Sequence, residues 1–326
     1  LHRHQRAVYA RKQLAIARYR GTLRTRTGYT SAPARSGFNF SHTRTSEVYR
    51  VKLLTTLTLA CSLTLPAITL AEHHGSADLA TILSQRSAEA QARDAARHPA
   101  ETLEFFKVEP GMTVAEALPG GGWYTEILAN YLGPKGTLYG VNYVDRLWPL
   151  FGLFSDEQIE GRIAATGKFK QQVSTFTDNG IEAEGFTFGT VPSEASGAVD
   201  RVLFIRALHN LNRFESDAGT LSQALAAARA MLKEDGLVGI VQHRLPEGAP
   251  EEGSDGSRGY LKQSHVIKVF EDAGFTLVAK SEINANPADR PGPGDIVWRL
   301  PPSFNGSKDN PELKAAMAAI GESDRM

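Results

Sequence analysis

The stretch "VAEALPGGGWYTEIL", residues 114–128, sets three consecutive glycines between an apolar run and an amphipathic one. "GMTVAEAL" (111–118) reads as a short buried strand. "WYTEILANYLG" reads as a helix ending at Gly133, with Trp123, Ile127, Leu128, Tyr131 and Leu132 on one face. Two readings of the glycines stand side by side. They form a plain turn, or a loop whose backbone a ligand approaches closely, since glycine accepts positive φ and has no Cβ to collide. The helix N-terminus that follows offers free N–H groups to an anion. The spacing excludes two nucleotide loops: no Lys follows as in a P-loop, and Thr125 stands where Gly-x-Gly-x-x-Gly needs its third glycine. No Gly-x-Ser-x-Gly, His-Glu-x-x-His or Cys-x-x-Cys occurs, so serine-hydrolase and zincin chemistry lack support.

Working outward, the alternation continues. "GTLYGVNY" (136–143) reads as a second strand, 145–168 as helix, "AEGFTFG" (183–189) as a third strand and "DRVLFIRAL" (200–208) as a fourth. Residues 217–234 read as a helix ended by Gly236, "LVGIVQH" (237–243) as a fifth strand, 261–273 as helix and "FTLVAKSEI" (275–283) as a sixth strand. Upstream, 78–107 reads as a long helix and a short one, divided at Pro99. This order predicts an α/β domain with a parallel sheet covered on both faces. Residues 284–312, rich in Pro, Asn, Asp and Gly, read as a long excursion of the kind that shapes sites.

The formal charge of zero hides an asymmetry. Residues 1–71 carry 12 Lys+Arg and a single acid, Glu47, leaving 24 basic and 35 acidic residues in the remainder, a net −11. Such a body argues against a nucleic-acid groove. "LLTTLTLACSLTLPAITLA" (53–71), preceded by Arg50 and Lys52, has the pattern of a secretory signal peptide, here bounded as 51–71; an uncleaved membrane anchor is the alternative. Export to the periplasm is the expectation, with membrane contact only through that segment if it is uncleaved. The single cysteine, Cys61, falls inside it, so a chain starting at Glu72 has no disulfide and no thiol chemistry. Residues 1–50 are either an untranslated extension before a start at Val51 or a basic disordered tail. A start at Glu72-His73-His74 places an amine, two amide nitrogens and an imidazole as Cu(II) or Ni(II) prefers, against the plainer reading of a polar end. The remainder divides into an N-terminal helical segment, 72–110, and a domain at 111–326.

A strand ending in Glu116, then Gly120 and Gly122, a helix, and later "LHNL" and "MLKEDGLVGIV" resemble class I S-adenosylmethionine-dependent methyltransferases. "PGGGWYTEIL", "RALHN", "QHR" and "SEINANPAD…VWRLPP…GESDRM" look most like a group of exported methyltransferases, over roughly residues 85–326. The resemblance implies a Rossmann-like three-layer sandwich with a mostly parallel sheet. It implies S-adenosylmethionine as cofactor, Pro119 and Gly120, Gly121 and Gly122 near its methionine part, and Glu116 near its amino group. Asn142 stands where most of the family binds the ribose with an acid, and Asp145 is the substitute. Two further departures are Leu118 at the first glycine's place and a last strand that is either absent or supplied by "DIVWRL" (295–300).

Methyl transfer asks for an aligned nucleophile, and for a base only where that nucleophile carries a proton. Strand ends four and five offer His209, His243 and Arg244 as catalytic candidates. Arg206, Asn210, Gln242, Tyr260 and Asn286 are candidates for holding a small-molecule substrate, with Asp289 and Trp298 covering the mouth. Plainer roles for His209 as a helix-entry residue and Arg244 as the partner of a surface acid stand beside these. No metal site is read. Because the cofactor is made in the cytoplasm, a non-catalytic domain that binds a small molecule or a partner in the periplasm is the second reading. A hydrolase on the same fold, with no recognisable nucleophile, ranks last.

Overall fold

The structure, a computed structural model, describes residues 78–251 and 253–326. The expectations for the 1–50 extension, the 51–71 signal, Cys61 and the Glu72-His73-His74 start lie outside the described residues. Short helices come first: α1 (Leu79–Gln85), α2 (Ala88–Gln91), α3 (Asp94–Arg97) and α4 (Pro99–Phe105). The alternating core follows as β1 (Thr113–Ala117), α5 (Trp123–Leu132), β2 (Thr137–Asn142), α6 (Asp156–Gly167), α7 (Phe169–Val173), β3 (Glu182–Thr187) and β4 (Val199–Ile205). Then come α8 (Leu208–Asn212), α9 (Glu215–Ala218), α10 (Thr220–Met231), β5 (Leu232–Val241), the two-residue strands β6 (Arg244–Leu245) and β7 (Leu261–Lys262), α11 (Gln263–Asp272) and α12 (Pro311–Ile320).

The main sheet has the order β3-β2-β1-β4-β5, every pairing parallel. With β1 central and the order reversing beside it, the sheet is Rossmann-like. Successive side chains sort to opposite faces. Val114, Leu138 and Leu203 join one core with Leu103 of α4, Ile127 and Leu128 of α5 and Phe169 of α7. Ala115, Tyr139, Val202 and Phe204 join the other with Leu211 of α8, Leu225 of α10 and Phe270 of α11. Burying each such Leu or Phe contributes about 1.5–3 kcal/mol relative to leaving it in water. Gly185 lets the α6–α7 corner sit directly on β3, where an added Cβ would lie 2.0 Å from the Thr166 carbonyl oxygen.

Several expected elements differ. The long upstream helix is three short ones: Ser87 caps α2 by accepting from the Ala90 N–H, and His98, before Pro99, is left-handed at φ 43°. A residue preceding proline avoids the helical region, so the break falls there. Residues 145–168 are divided by Pro149 and by Gly152 at φ 67° into a 3-10 turn (Asp145–Phe151) and α6. Ser155 opens α6 with a full capping box, accepting from the Gln158 N–H while the Gln158 side chain accepts from the Ser155 N–H. Ser155→Ala is expected to remove about 1 kcal/mol of stability, a fall of about 3 °C in melting temperature; an unchanged melting curve would discount the cap.

Gly236 does not end α10, which stops at Met231; it lies inside β5, where the register with β4 shifts between Val199 and Arg201. Residues 261–262 are strand rather than helix, paired with Arg244–Leu245. "FTLVAKSEI" is not a strand. It stands off β5 across an apolar groove of about 690 Å³, and Leu277 and Val278 are exposed. Its alternation suits a sheet, but among the described residues it joins no ladder, and Phe275 instead donates its N–H to the Phe270 carbonyl near the end of α11. "DIVWRL" forms a 3-10 turn at Val297–Arg299 against Tyr260 and so does not supply the last strand. Beside the end of β5, Met326 and Gln242 exchange both backbone hydrogen bonds, and His243 and Arg325 form an antiparallel bridge.

Candidate active site

The carboxyl ends of β1, β2, β4 and β5 carry nearly all the residues singled out above. Past β1, Leu118, Gly120 and Gly122 have φ of 55°, 57° and 83°. Leu118 thus occupies the left-handed region that glycine enters freely, at a strain of roughly 1–2 kcal/mol. An added Cβ at Gly121 would meet nothing within 4 Å and at Gly120 only the Leu118 oxygen at 3.8 Å, so this backbone is open to a ligand. Gly122 differs, since a Cβ added there would lie 2.8–2.9 Å from the Phe176 and Gln172 side chains. The Gln172 amide also donates to the Gly120 oxygen at 3.2 Å. No side chain caps the α5 N-terminus at Gly122.

Glu116, 4% exposed, accepts a 2.6 Å hydrogen bond from the Thr125 hydroxyl. Burial pushes its carboxyl up to about 7, against the pull of Thr125 and the Arg206 charge. At the end of β2, the Asn142 amide donates to the Thr166 hydroxyl at 3.1 Å and its oxygen accepts from the Tyr143 N–H. Both polar ends of Asn142 are therefore engaged within the chain. Asp145 is exposed at the head of the 3-10 turn.

At the ends of β4 and β5, His209 and His243 lie with ring centroids 5.4 Å apart, flanked by Trp298 at 5.9 Å and Tyr260 at 6.3 Å. His209 Nδ1 is 3.3 Å from the Gln242 side-chain oxygen. That oxygen only accepts, so Nδ1 carries the proton and Nε2 keeps a free lone pair. The Gln242 amide is fixed in turn by donating to the carbonyls of His243 and Gly259. Burial, reinforced by Arg206, lowers His209 to about 4, and burial with the neighbouring His209 and Arg206 holds His243 well below its ordinary range. Both rings are neutral at pH 7. His243 Nδ1 lies 2.5 Å from the Ser323 hydroxyl.

Further candidates are engaged by contacts within the chain. Arg244 pairs with Glu282 and Asp324, which hold it above its ordinary value. The Asn286 amide donates to the carbonyls of Ile320 and Glu322. Tyr260 is buried; its hydroxyl donates to Asp289 at 3.0 Å and accepts from Arg299 at 2.6 Å, while Arg299 pairs with Asp289 at 2.8 Å. Asn210 bonds the Tyr143 hydroxyl, whose titration burial pushes up.

Residues that the sequence reading missed surround Arg206. Arg206 follows β4 at φ 58°, a second strained residue beside Leu118 on the neighbouring strand end. Arg97, 1% exposed, stacks over the Trp123 ring at 4.4 Å, and Arg86 lies 4.8 Å from the same ring. Glu322 pairs with Arg93, Arg97 and Arg325. The spacing Arg93-x-x-x-Arg97 was the available signal, since it places both on one side of a helical turn. Among the described residues, no group of three His, Cys, Asp or Glu is arranged to hold a metal.

No family model matches the chain, and no curated protein matches it. Among solved structures, it is similar to a SAM-dependent methyltransferase from Aquifex aeolicus, with 18% identity and a TM-score of 0.41, covering 64% of this chain and 94% of that one. It is similar to the Burkholderia thailandensis 1,6-didemethyltoxoflavin-N1-methyltransferase with bound S-adenosylhomocysteine, with 13% identity, a TM-score of 0.38 and coverage of 60% and 74%. The arsenic(III) S-adenosylmethionine methyltransferase of Chlamydomonas reinhardtii gives 15%, 0.36, 61% and 62%, so this chain spans less than two thirds of that protein. The Rossmann-like assignment stands on the strand order itself.

Proposed function

We propose that the chain is an exported S-adenosylmethionine-dependent methyltransferase acting on a small molecule. What supports this reading above all is the β1 loop: backbone open at Gly120 and Gly121, beside a buried carboxyl, at the carboxyl edge of a central parallel strand. The residues fit the amino-acid end of the cofactor, with Glu116 for its ammonium and the loop backbone and α5 N-terminus around it. At the ribose end the fit is poorer, because Asn142 is engaged and the free carboxylate is Asp145. When bound, S-adenosylmethionine supplies an electrophilic methyl group on sulfur. The chain's own part is to exclude water and to orient an acceptor between the strand ends. His209 Nε2, a neutral lone pair, is placed to accept a hydrogen bond or a proton from that acceptor. Export through residues 51–71 belongs to the same proposal.

The engaged Asn142 favours the second reading, a non-catalytic domain that binds a small molecule or partner. Titration calorimetry with S-adenosylmethionine separates them. Saturable heat with a Kd on the order of micromolar is expected, about −8 kcal/mol. Absence of heat at high micromolar cofactor would leave the binding-domain reading.

A further inference from the structure

Asn-Gly occurs twice in the chain, at 179–180 and at 305–306. In this dipeptide the backbone nitrogen after the asparagine is uncrowded, since glycine has no Cβ, and the side-chain amide carbon can approach it. The structure holds the two asparagines differently. Asn179 is half-buried and fixed at both polar ends: its side-chain oxygen accepts from the Ile181 N–H at 2.9 Å, and its amide donates to the Ala129 carbonyl at 3.0 Å. Asn305 is exposed, and among the described residues neither its side chain nor the Gly306 N–H makes a hydrogen bond. The Ser307 N–H donates to the Phe304 carbonyl at 3.1 Å, which sets Asn305 and Gly306 at the tip of a tight turn. Gly306 has φ 82°, and a Cβ added there would meet nothing within 4 Å, so water reaches the peptide bond. The turn is tied to the candidate site. The Asn305 N–H donates to the Trp298 carbonyl at 2.8 Å, and the Trp298 ring lies 5.9 Å from that of His209.

We propose that Asn305 is a site of spontaneous deamidation, that Asn179 is protected from it, and that isoaspartate at 305 loosens the Trp298 wall beside His209. The Gly306 nitrogen attacks the side-chain carbonyl carbon of Asn305. A C–N bond forms and closes a succinimide ring, the bond from that carbon to Nδ2 breaks, and ammonia leaves with the proton that Gly306 gives up. Water then opens the ring, its hydroxyl going to one carbonyl carbon and its proton to the ring nitrogen. Opening at the backbone carbonyl gives isoaspartate, and opening at the former side-chain carbonyl gives aspartate. Both products carry a new carboxylate. Isoaspartate also routes the main chain through the side chain, which lengthens it by a methylene inside the Phe304–Ser307 turn. The chemistry is independent of whether the chain transfers methyl groups.

The test is incubation of the full chain at mildly alkaline pH, followed by peptide mass mapping. The peptide holding Asn305 is expected to gain the mass that replaces an amide by an acid at least about tenfold faster than the one holding Asn179, whose two hydrogen bonds must break first. In guanidinium chloride that unfolds the chain, the two are expected to convert at comparable rates. Asn305→Gln, which would have to close a larger ring, is expected to stop the conversion at this position. An Asn305 peptide that stays unchanged in the native chain would overturn the proposal, as would Asn179 converting as fast. A rate difference that persists in guanidinium chloride would assign it to neighbouring sequence and overturn the structural argument. The isoaspartate form, separated by ion exchange, is expected to exchange amide hydrogens over 298–307 faster than the unconverted chain; equal exchange would overturn the link to Trp298.

Discussion

Glu322→Ala lowers the melting temperature by about 10 °C. Glu322 touches Arg93 at 2.8 Å and Arg97 and Arg325 at 3.3 Å, and its side chain is 10% exposed against 1% and 3% for the latter two. Removing the anion leaves buried cations without a counterpart, a loss of about 3–5 kcal/mol, and each kcal/mol moves a domain of this size by about 2–4 °C. Burial alone would raise the Glu322 carboxyl, but Arg97, Arg325 and Arg93 together hold it below its ordinary value of 4.5. A carboxyl depressed in the folded chain contributes its stability above the unfolded value and loses it as pH falls through the folded one. The difference between wild type and Glu322→Ala should therefore be full at pH 6 and shrink below about pH 4.5. A variant that melts within 2 °C or so of wild type at pH 6 would show that the cluster is not held by this residue.

Glu116→Gln has the opposite sign. Burial raises the folded carboxyl from 4.5 to about 7, so the wild-type chain loses stability as pH rises through that interval. The shift corresponds to about 3 kcal/mol once the group is ionised in the folded state. Gln keeps an oxygen for the Thr125 hydroxyl and never ionises. The variant is expected to melt near wild type at pH 4.5 and about 8 °C higher at pH 8. On the proposed function it also loses at least about tenfold in S-adenosylmethionine affinity, because an amide does not attract an ammonium as a carboxylate does. A gain in stability with a loss of binding is the usual signature of a group kept for a site. Equal melting temperatures at pH 8 would mean that the carboxyl is not strained there.

The β1 loop was legible because a glycine run between an apolar strand and an amphipathic helix constrains the backbone locally. Leu118 sharpened the reading: it adopts the left-handed conformation that a glycine at that place would take without strain. The four later core strands and α10 were legible from apolar period for the same local reason. The burial of Arg97 was not legible: the Arg93-x-x-x-Arg97 spacing sets two cations on one side of a helical turn, but a helical period over 78–98 does not say what covers that side. Its burial comes from the Trp123 ring, which no period reports. The 275–283 segment failed in the other direction. It has the alternation of a strand, yet a strand exists only where a neighbour takes its hydrogen bonds.

Arg93 and Glu322, which meet at 2.8 Å, are separated by 229 positions in sequence. Closing so long a loop is paid in chain entropy that only a nearly complete structure returns. Arg93 and Arg97 thus gain their shared carboxylate only after the helices before the sheet and the segment beyond α12 have met. A partly assembled chain has the glycine loop, which is local, but not the ion-paired cluster of Arg93, Arg97, Arg325 and Glu322. Completion of the fold and neutralisation of these buried cations are then a single event.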